Sequence, residues 1–152
     1  MQVDRTILAA KYNITELSVI SSTQISSRTR NVLEKLQATP VDGKPNLVIL
    51  TTKARTASKL ISIVEIAKRD LVAKGLKCFQ YNALSSEMIE LPRDHRQDSH
   101  GTKQKAGNES ESEDAFETMG AEPKSGTKQR LVPVVTTYLS LISVRELKTA
   151  YG

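Results

Sequence analysis

The sequence is poor in several residues on which function often rests. It has one cysteine, two histidines and no tryptophan, and aromatic residues make up only 4% of its 152 positions. One cysteine, Cys78, leaves no internal disulfide, which fits a reducing compartment. With no histidine beside it, Cys78 reads as a small core residue rather than a nucleophile or a ligand. His95 and His100 fall in a strongly polar stretch that could not hold a catalytic geometry. Too few cysteines and histidines are present for a metal site, so none is expected. The seven glycines are scattered, with no phosphate-cradling loop among them. No enzyme activity and no cofactor are therefore expected. No run approaches the roughly 18 apolar residues of a membrane helix. The first ten residues carry Asp4 and Arg5 and lack the apolar stretch of a signal peptide. A soluble, intracellular protein with no membrane partner is expected.

Few aromatics mean that the core must be built from Leu, Ile and Val. The length suits one domain with one core. Lys and Arg number 22 against 17 Asp and Glu, a net charge of +5. That balance favours an anionic partner but does not by itself identify one.

Residues 14–20 read as a short strand. Ser21-Ser22-Thr23-Gln24 follows, and Ser21 with Gln24 three residues on has the pattern of a capping box. Ile25, Val32, Leu33 and Leu36 then share one helical face, with Arg28, Arg30 and Lys35 mostly away from it. Pro40, Gly43 and Pro45 end that helix. Asn46 to Thr52 is a short continuous apolar run, the mark of a strand buried on both faces. From Thr56 the period changes: Ala57, Leu60, Ile61, Val64, Ala67 and Leu71 form a helical stripe. Gly75 suits the left-handed position after the helix, and Lys74 suits the negative end of its dipole. Ile63 and Ile66 lie off that stripe. Either the helix is deeply buried, or a partner subunit covers a second face.

Leu76 to Leu91 reads as a strand bent near Ser85-Ser86, and Leu131 to Ile142 as the last strand. Pro133, lacking an N–H, must sit at an edge, a bulge or a strand start. Between them, residues 92–130 carry too little apolar surface to offset their ordering entropy, so disorder is expected. The acidic run Glu109 to Asp114 within it reads as a solvated patch. The whole is a single α/β domain over 1–152: βαβαββ, a small mixed sheet with two helices packed on one face, and a long hairpin insertion at about 92–130.

The candidate chemistry is binding. Lys53, Arg55 and Lys59 bracket a strand end and a helix start, where exposed N–H groups and the dipole favour a phosphate. Cations there are unfavourable by a few tenths to about 1 kcal/mol unless an anion arrives. Arg28 and Arg30 could extend that surface, although alone they read as solvated. Phe79 reads as core; Tyr81 could be core or a ring for an unpaired base.

The stretch Ala54 to Arg69, with its basic turn, Ser58-Lys59 pair and Val64-Glu65-Ile66 triplet, resembles the second helix of Alba-family proteins. One branch, the fungal Alba-type subunits of RNase P and RNase MRP, is similar at further points. These are Ser21 to Gln24, Leu60 to Lys68, Phe79 to Leu84 and Val132-Pro133-Val134, in the same order and spacing. The resemblance spans most of the chain outside Pro92 to Arg130. It implies an Alba fold and a heterodimer with a second Alba-type subunit. It also implies binding to a P-three-type helical internal-loop domain of the RNase P or MRP RNA, alongside the other RNase P/MRP proteins. The RNA catalyses, so the protein would be architectural and would sit in the nucleus, including the nucleolus. In fungi the same pair is associated with telomerase RNA. Nucleic-acid contacts in the family come from the first strand–helix junction and from the basic turn before the second helix. The second carries over to Lys53, Arg55 and Lys59. The first is Ser21 to Gln24 here, without the lysines of archaeal relatives, though Ser22 and Gln24 can still bond phosphate or sugar. A general chromatin or nucleic-acid-binding protein, or a pure protein–protein module, are the alternatives.

Overall fold

A computed structural model of the chain describes residues 3–92 and 127–152. Of the insertion expected at about 92–130, residues 93–126, with His95, His100 and the acidic run, lie outside the described residues, whereas Pro92 ends a strand and Thr127 to Arg130 begin one, because the last two strands are longer than their apolar runs. The elements run α1 (Arg5–Lys11), β1 (Asn13–Val19), α2 (Ile25–Gln37), β2 (Asn46–Lys53), α3 (Ala57–Ala73), β3 (Phe79–Pro92), β4 (Thr127–Ser140) and α4 (Arg145–Tyr151). Short 3-10 turns at Val41–Gly43 and Ala54–Thr56 precede β2 and α3. The chain divides into two units. The larger is Met1–Glu87 with Leu131–Gly152; the smaller is Met88–Arg130. In the smaller, Gln129 donates from its side-chain amide to Glu90 at 3.2 Å.

The four strands form one mixed sheet in the order β1-β2-β4-β3. β1 runs parallel to β2, with Asn13 opposite Asn46 and Val19 opposite Thr52. β4 runs antiparallel to β2, from Ser140 opposite Leu47 to Val134 opposite Lys53. β2 is thus central, which explains its unbroken apolar run. Side chains alternate across a sheet, and both faces of β2 are covered. Val48 and Leu50 enter a core with Val32 and Leu36 of α2 and Leu60, Ile63, Val64, Ala67 and Leu71 of α3. Leu47 and Ile49 enter a second core on the opposite face. Each such aliphatic side chain contributes roughly 1.5–3 kcal/mol by leaving water.

The expected βαβαββ layout, with two helices on one face, is therefore present. The second face holds an addition. Leu8 of α1 and Leu147 of α4, with Val144, pack there against Tyr81 and Tyr138, all three aliphatic side chains fully buried. The two short helices are tied together. Lys11 Nζ donates to Glu146 Oε1 at 2.6 Å, and the Tyr12 hydroxyl to Glu146 Oε2 at 3.2 Å. Tyr151 stacks on Tyr138 with ring centroids 5.8 Å apart. The sequence hid α1 because its seven residues bury only Leu8. A helix that short holds only through tertiary contact, here helped by Asp4, which caps the Thr6 N–H at 3.0 Å.

Several local readings change. Ser21 and Gln24 form no capping box: Gln24 is itself the N-cap of α2 and makes no side-chain cap bond. Thr23 closes the turn instead. Its hydroxyl accepts the Ile20 N–H at 3.0 Å, and its own N–H reaches the Ile20 carbonyl at 3.0 Å. On α3, Ile61 and Ile63 exchange roles: Ile63 is fully buried and Ile61 is 58% exposed. Tyr81 is buried, its hydroxyl accepting the Val144 N–H at 3.2 Å, so its ring is no platform for a base. Gly75 does end α3 in the left-handed region at φ +73. The Leu76 N–H returns to the Leu71 carbonyl and the Gly75 N–H to that of Val72, both at 2.9 Å, a Schellman closure. Pro133 sits one residue beyond the last β4–β2 pair, where its missing N–H breaks no bond to β2.

Candidate nucleic-acid interface

Because β1 and β2 are parallel and in register from Asn13 to Val19, their carboxyl ends lie side by side. The β1–α2 junction and the β2–α3 junction therefore meet at one end of the sheet. This is where open α/β sheets commonly take their ligands. Two helices start there, and neither has an acidic residue in its first turn or a side-chain cap. The first N–H groups of a helix have no internal partner and carry the positive end of the dipole. Two such ends in one place favour an anion.

The cations divide into two sets. Lys53 and Arg55 are exposed at the β2–α3 junction. Among the described residues, neither side chain takes part in an ion pair or hydrogen bond. Arg30 and Lys59 instead line an open cleft of about 890 Å³ between α2 and α3, together with Ser22 and Gln24. Asp70 and Ile66 lie along its other reaches. Arg28, half-buried, does not line it. It stands two residues from Arg30, about 200° round the helix, so α2 presents the two arginines on different flanks.

Threonine hydroxyls, which sequence reading passed over, lock the two junctions together. Thr52 is 3% exposed, and its hydroxyl donates to the Val19 carbonyl at 2.8 Å. The Thr52 and Thr56 hydroxyls lie 2.6 Å apart. This engagement explains why Thr56, the N-cap of α3, leaves the helix start open. The only sequence signal was a Thr at the end of a buried strand, four residues before another Thr. Lys59 adds a second tie, donating from Nζ to the carbonyl of Ser21.

The arrangement sets cations beside two helix starts that have no side-chain cap. Two carboxyl groups outside it are held below their ordinary range. A hydrogen bond from Lys68 lowers Glu65, and one from Lys11 lowers Glu146. Burial raises the Cys78 thiol, as suits a half-buried core residue and not a thiolate nucleophile. No group of three or more His, Cys, Asp or Glu could hold a metal ion among the described residues. No described helix is long and apolar enough to cross a membrane.

Among the described residues, aliphatic side chains also stand exposed away from the cleft. Lys59, Ile66 and Asp70 mark the flank of α3 that faces α2. The other flank presents Ile61 at 58% and Val72 at 68% exposure. Leu84 of β3, 82% exposed, lies two residues from Asn82 and so shares its face; Asn82 accepts the Thr137 hydroxyl at 2.9 Å. Thr137 in turn shares a face with Leu139 of the α2–α3 core. Leu84 therefore projects on the same side of the sheet as α3.

No protein family model matches the sequence, and no curated protein matches it. Among solved structures the chain is similar to Alba from Thermoplasma volcanium, at 13% identity and a TM-score of 0.42. The similarity covers 84% of this chain and 99% of that one.

Proposed function

We propose that this chain is a non-catalytic, RNA-binding subunit of RNase P and RNase MRP, working as one half of a heterodimer with a second Alba-type subunit. It would bind and stabilise the catalytic RNA at a P-three-type domain and so serve tRNA 5′ processing and rRNA processing. Telomerase RNA is a further candidate target. The observation that carries the binding reading is the meeting of two uncapped helix starts at one end of the sheet, with Lys53 and Arg55 at the start of α3 and Lys59 and Arg30 along the cleft between α2 and α3. Such a site takes phosphate through backbone N–H groups and, from the arginines, through bidentate bonds. Ser22 and Gln24 add neutral partners for phosphate or sugar. Arg28 sits on the other flank of α2 and would meet a strand only as it wraps that helix. The choice of RNase P and MRP RNA rests on the ordered motifs of the sequence. The partner reading is supported by Ile61 and Val72, exposed on one flank of α3, and by Leu84, exposed on the same side of the sheet. The reading puts the protein in the nucleus, including the nucleolus.

The test is a tagged pull-down from the native cells, with bound RNA sequenced and bound proteins identified. The expected result is enrichment of RNase P and MRP RNAs together with one small Alba-type protein. Recovery of bulk DNA or mixed RNA would make the chain a general nucleic-acid binder. Recovery of protein alone would make it an interaction module and leave its basic junction merely solvated.

A further inference from the structure

We infer that Lys59 is a positioning residue: its ammonium holds the Ser21–Gln24 junction in shape, while Lys53, Arg55 and Arg30 supply the phosphate contacts. This rests on the RNA-binding reading of the same site. Lys59 is 38 residues from Ser21 in the chain, yet its Nζ donates to the Ser21 carbonyl. The junction it reaches is lightly secured from its own side. Ser21, Ser22 and Gln24 are exposed, and Gln24 caps nothing. Only the Thr23–Ile20 pair of bonds closes the turn locally. The link from α3 therefore fixes where Ser22 and Gln24 stand relative to the β2–α3 junction.

Burial distinguishes the lysines. Lys53 is exposed at the end of its strand, whereas Lys59 is half-buried along the cleft. A half-buried stem restricts the rotamers of a long side chain, and a committed hydrogen bond restricts them further. Such an ammonium is poorly placed to follow a phosphate. It is well placed to order a loop, and a loop that is ordered only part of the time weakens binding by that fraction.

Salt dependence separates the two roles. Each cation–phosphate contact contributes about 0.9 to the slope of log K against log salt on duplex and about 0.7 on single strands. Binding of a structured RNA carrying an internal loop is measured over a range of salt for the wild type, Lys59→Met, Lys59→Arg and Arg55→Met. Hydrogen–deuterium exchange of Ile20–Gln24 is followed in the free proteins, and melting curves confirm that each variant folds. Lys59→Met is expected to raise Kd about fivefold. Its slope should match the wild type, with faster exchange at Ile20–Gln24. Arg55→Met should lose about 0.7–0.9 of slope with exchange unchanged. Lys59→Arg, which can still donate to the Ser21 carbonyl, should restore both readouts. The inference is overturned if Lys59→Met loses a full contact of slope with exchange unmoved, since Lys59 would then touch phosphate directly. It is overturned equally if neither affinity nor exchange responds. Should the wild type bind no RNA, the functional reading fails, while the exchange comparison still decides whether Lys59 holds the junction.

Discussion

Reversing the two exposed cations of the β2–α3 junction, Lys53→Glu with Arg55→Glu, is the most direct test of the proposed interface. Neither side chain is buried, and neither has a hydrogen-bonding or ionic partner among the described residues. The hydroxyl bonds of Thr52 and Thr56 to position 53 use the main-chain carbonyl, which the substitution keeps. Stability should thus stay within about 0.5 kcal/mol of wild type. Binding should not. At about 0.15 M salt a slope of about 0.7–0.9 per contact is worth roughly 3.8- to 5.5-fold in affinity. Two contacts give roughly 15- to 30-fold, and the new carboxylates add repulsion, so this is a lower bound. The slope of log K against log salt should fall by about 1.4–1.8. Fluorescence anisotropy on a structured RNA, read over a range of salt, gives both quantities. Unchanged affinity at low salt would refute the site. A loss of affinity with an unchanged slope would refute the argument that these residues meet phosphate.

Four further outcomes are expected. Ile63→Asp should unfold the domain, because it places a carboxylate among fully buried aliphatic side chains at a loss of several kcal/mol. Ile61→Asp should cost about 1 kcal/mol or less and instead abolish co-purification of the second subunit; denaturation and a two-tag pull-down distinguish the pair. Leu147→Ala should lower stability by about 2–5 kcal/mol in urea titration, since its side chain is fully buried under the sheet. A change below about 0.5 kcal/mol would mean that α4 is a loose tail. Lys11 holds the Glu146 carboxyl below its ordinary range, so the pair stabilises above the unfolded pKa of the acid and the effect is lost as pH falls through the lowered folded value. Urea midpoints of wild type and Glu146→Gln should therefore differ modestly at neutral pH, by about 1 kcal/mol or less. They should converge as pH drops below the ordinary carboxylate range.

Much of the architecture is carried by local pattern. The apolar run of β2, the three-and-four spacing of α3 and the Gly75 stop are each properties of a few neighbouring residues. The basic turn at Lys53 and Arg55 is legible for the same reason: among the described residues nothing folds over it, so its exposure follows from composition. Periodicity also located the apolar stripe of α3, but it could not say which of its flanks a neighbour covers. Only the packing of α2 put Ile63 inside and left Ile61 to solvent. The capping box at Ser21 fitted the spacing rule but not the turn, since Thr23 closes that turn and moves the helix start to Gln24. The short helices α1 and α4 were weak in sequence because each buries a single residue along its length. Their place depends on a sheet face supplied by distant strands.

The sequence by itself determined the βαβαββ order, the aliphatic core and the basic character of one turn, all of which follow from side-chain chemistry and local spacing. Tertiary structure alone decided that Ser22, Gln24, Arg30 and Lys59 share a cleft, that Arg28 does not line it, and that Thr52 and Lys59 join the two junctions. These are consequences of pairing β1 parallel to β2, whose paired residues lie 33 positions apart in the chain, as at Val19 and Thr52. No local rule reaches that far. A parallel pair aligns the carboxyl ends of its strands, and that alignment turns two separate loops into one surface.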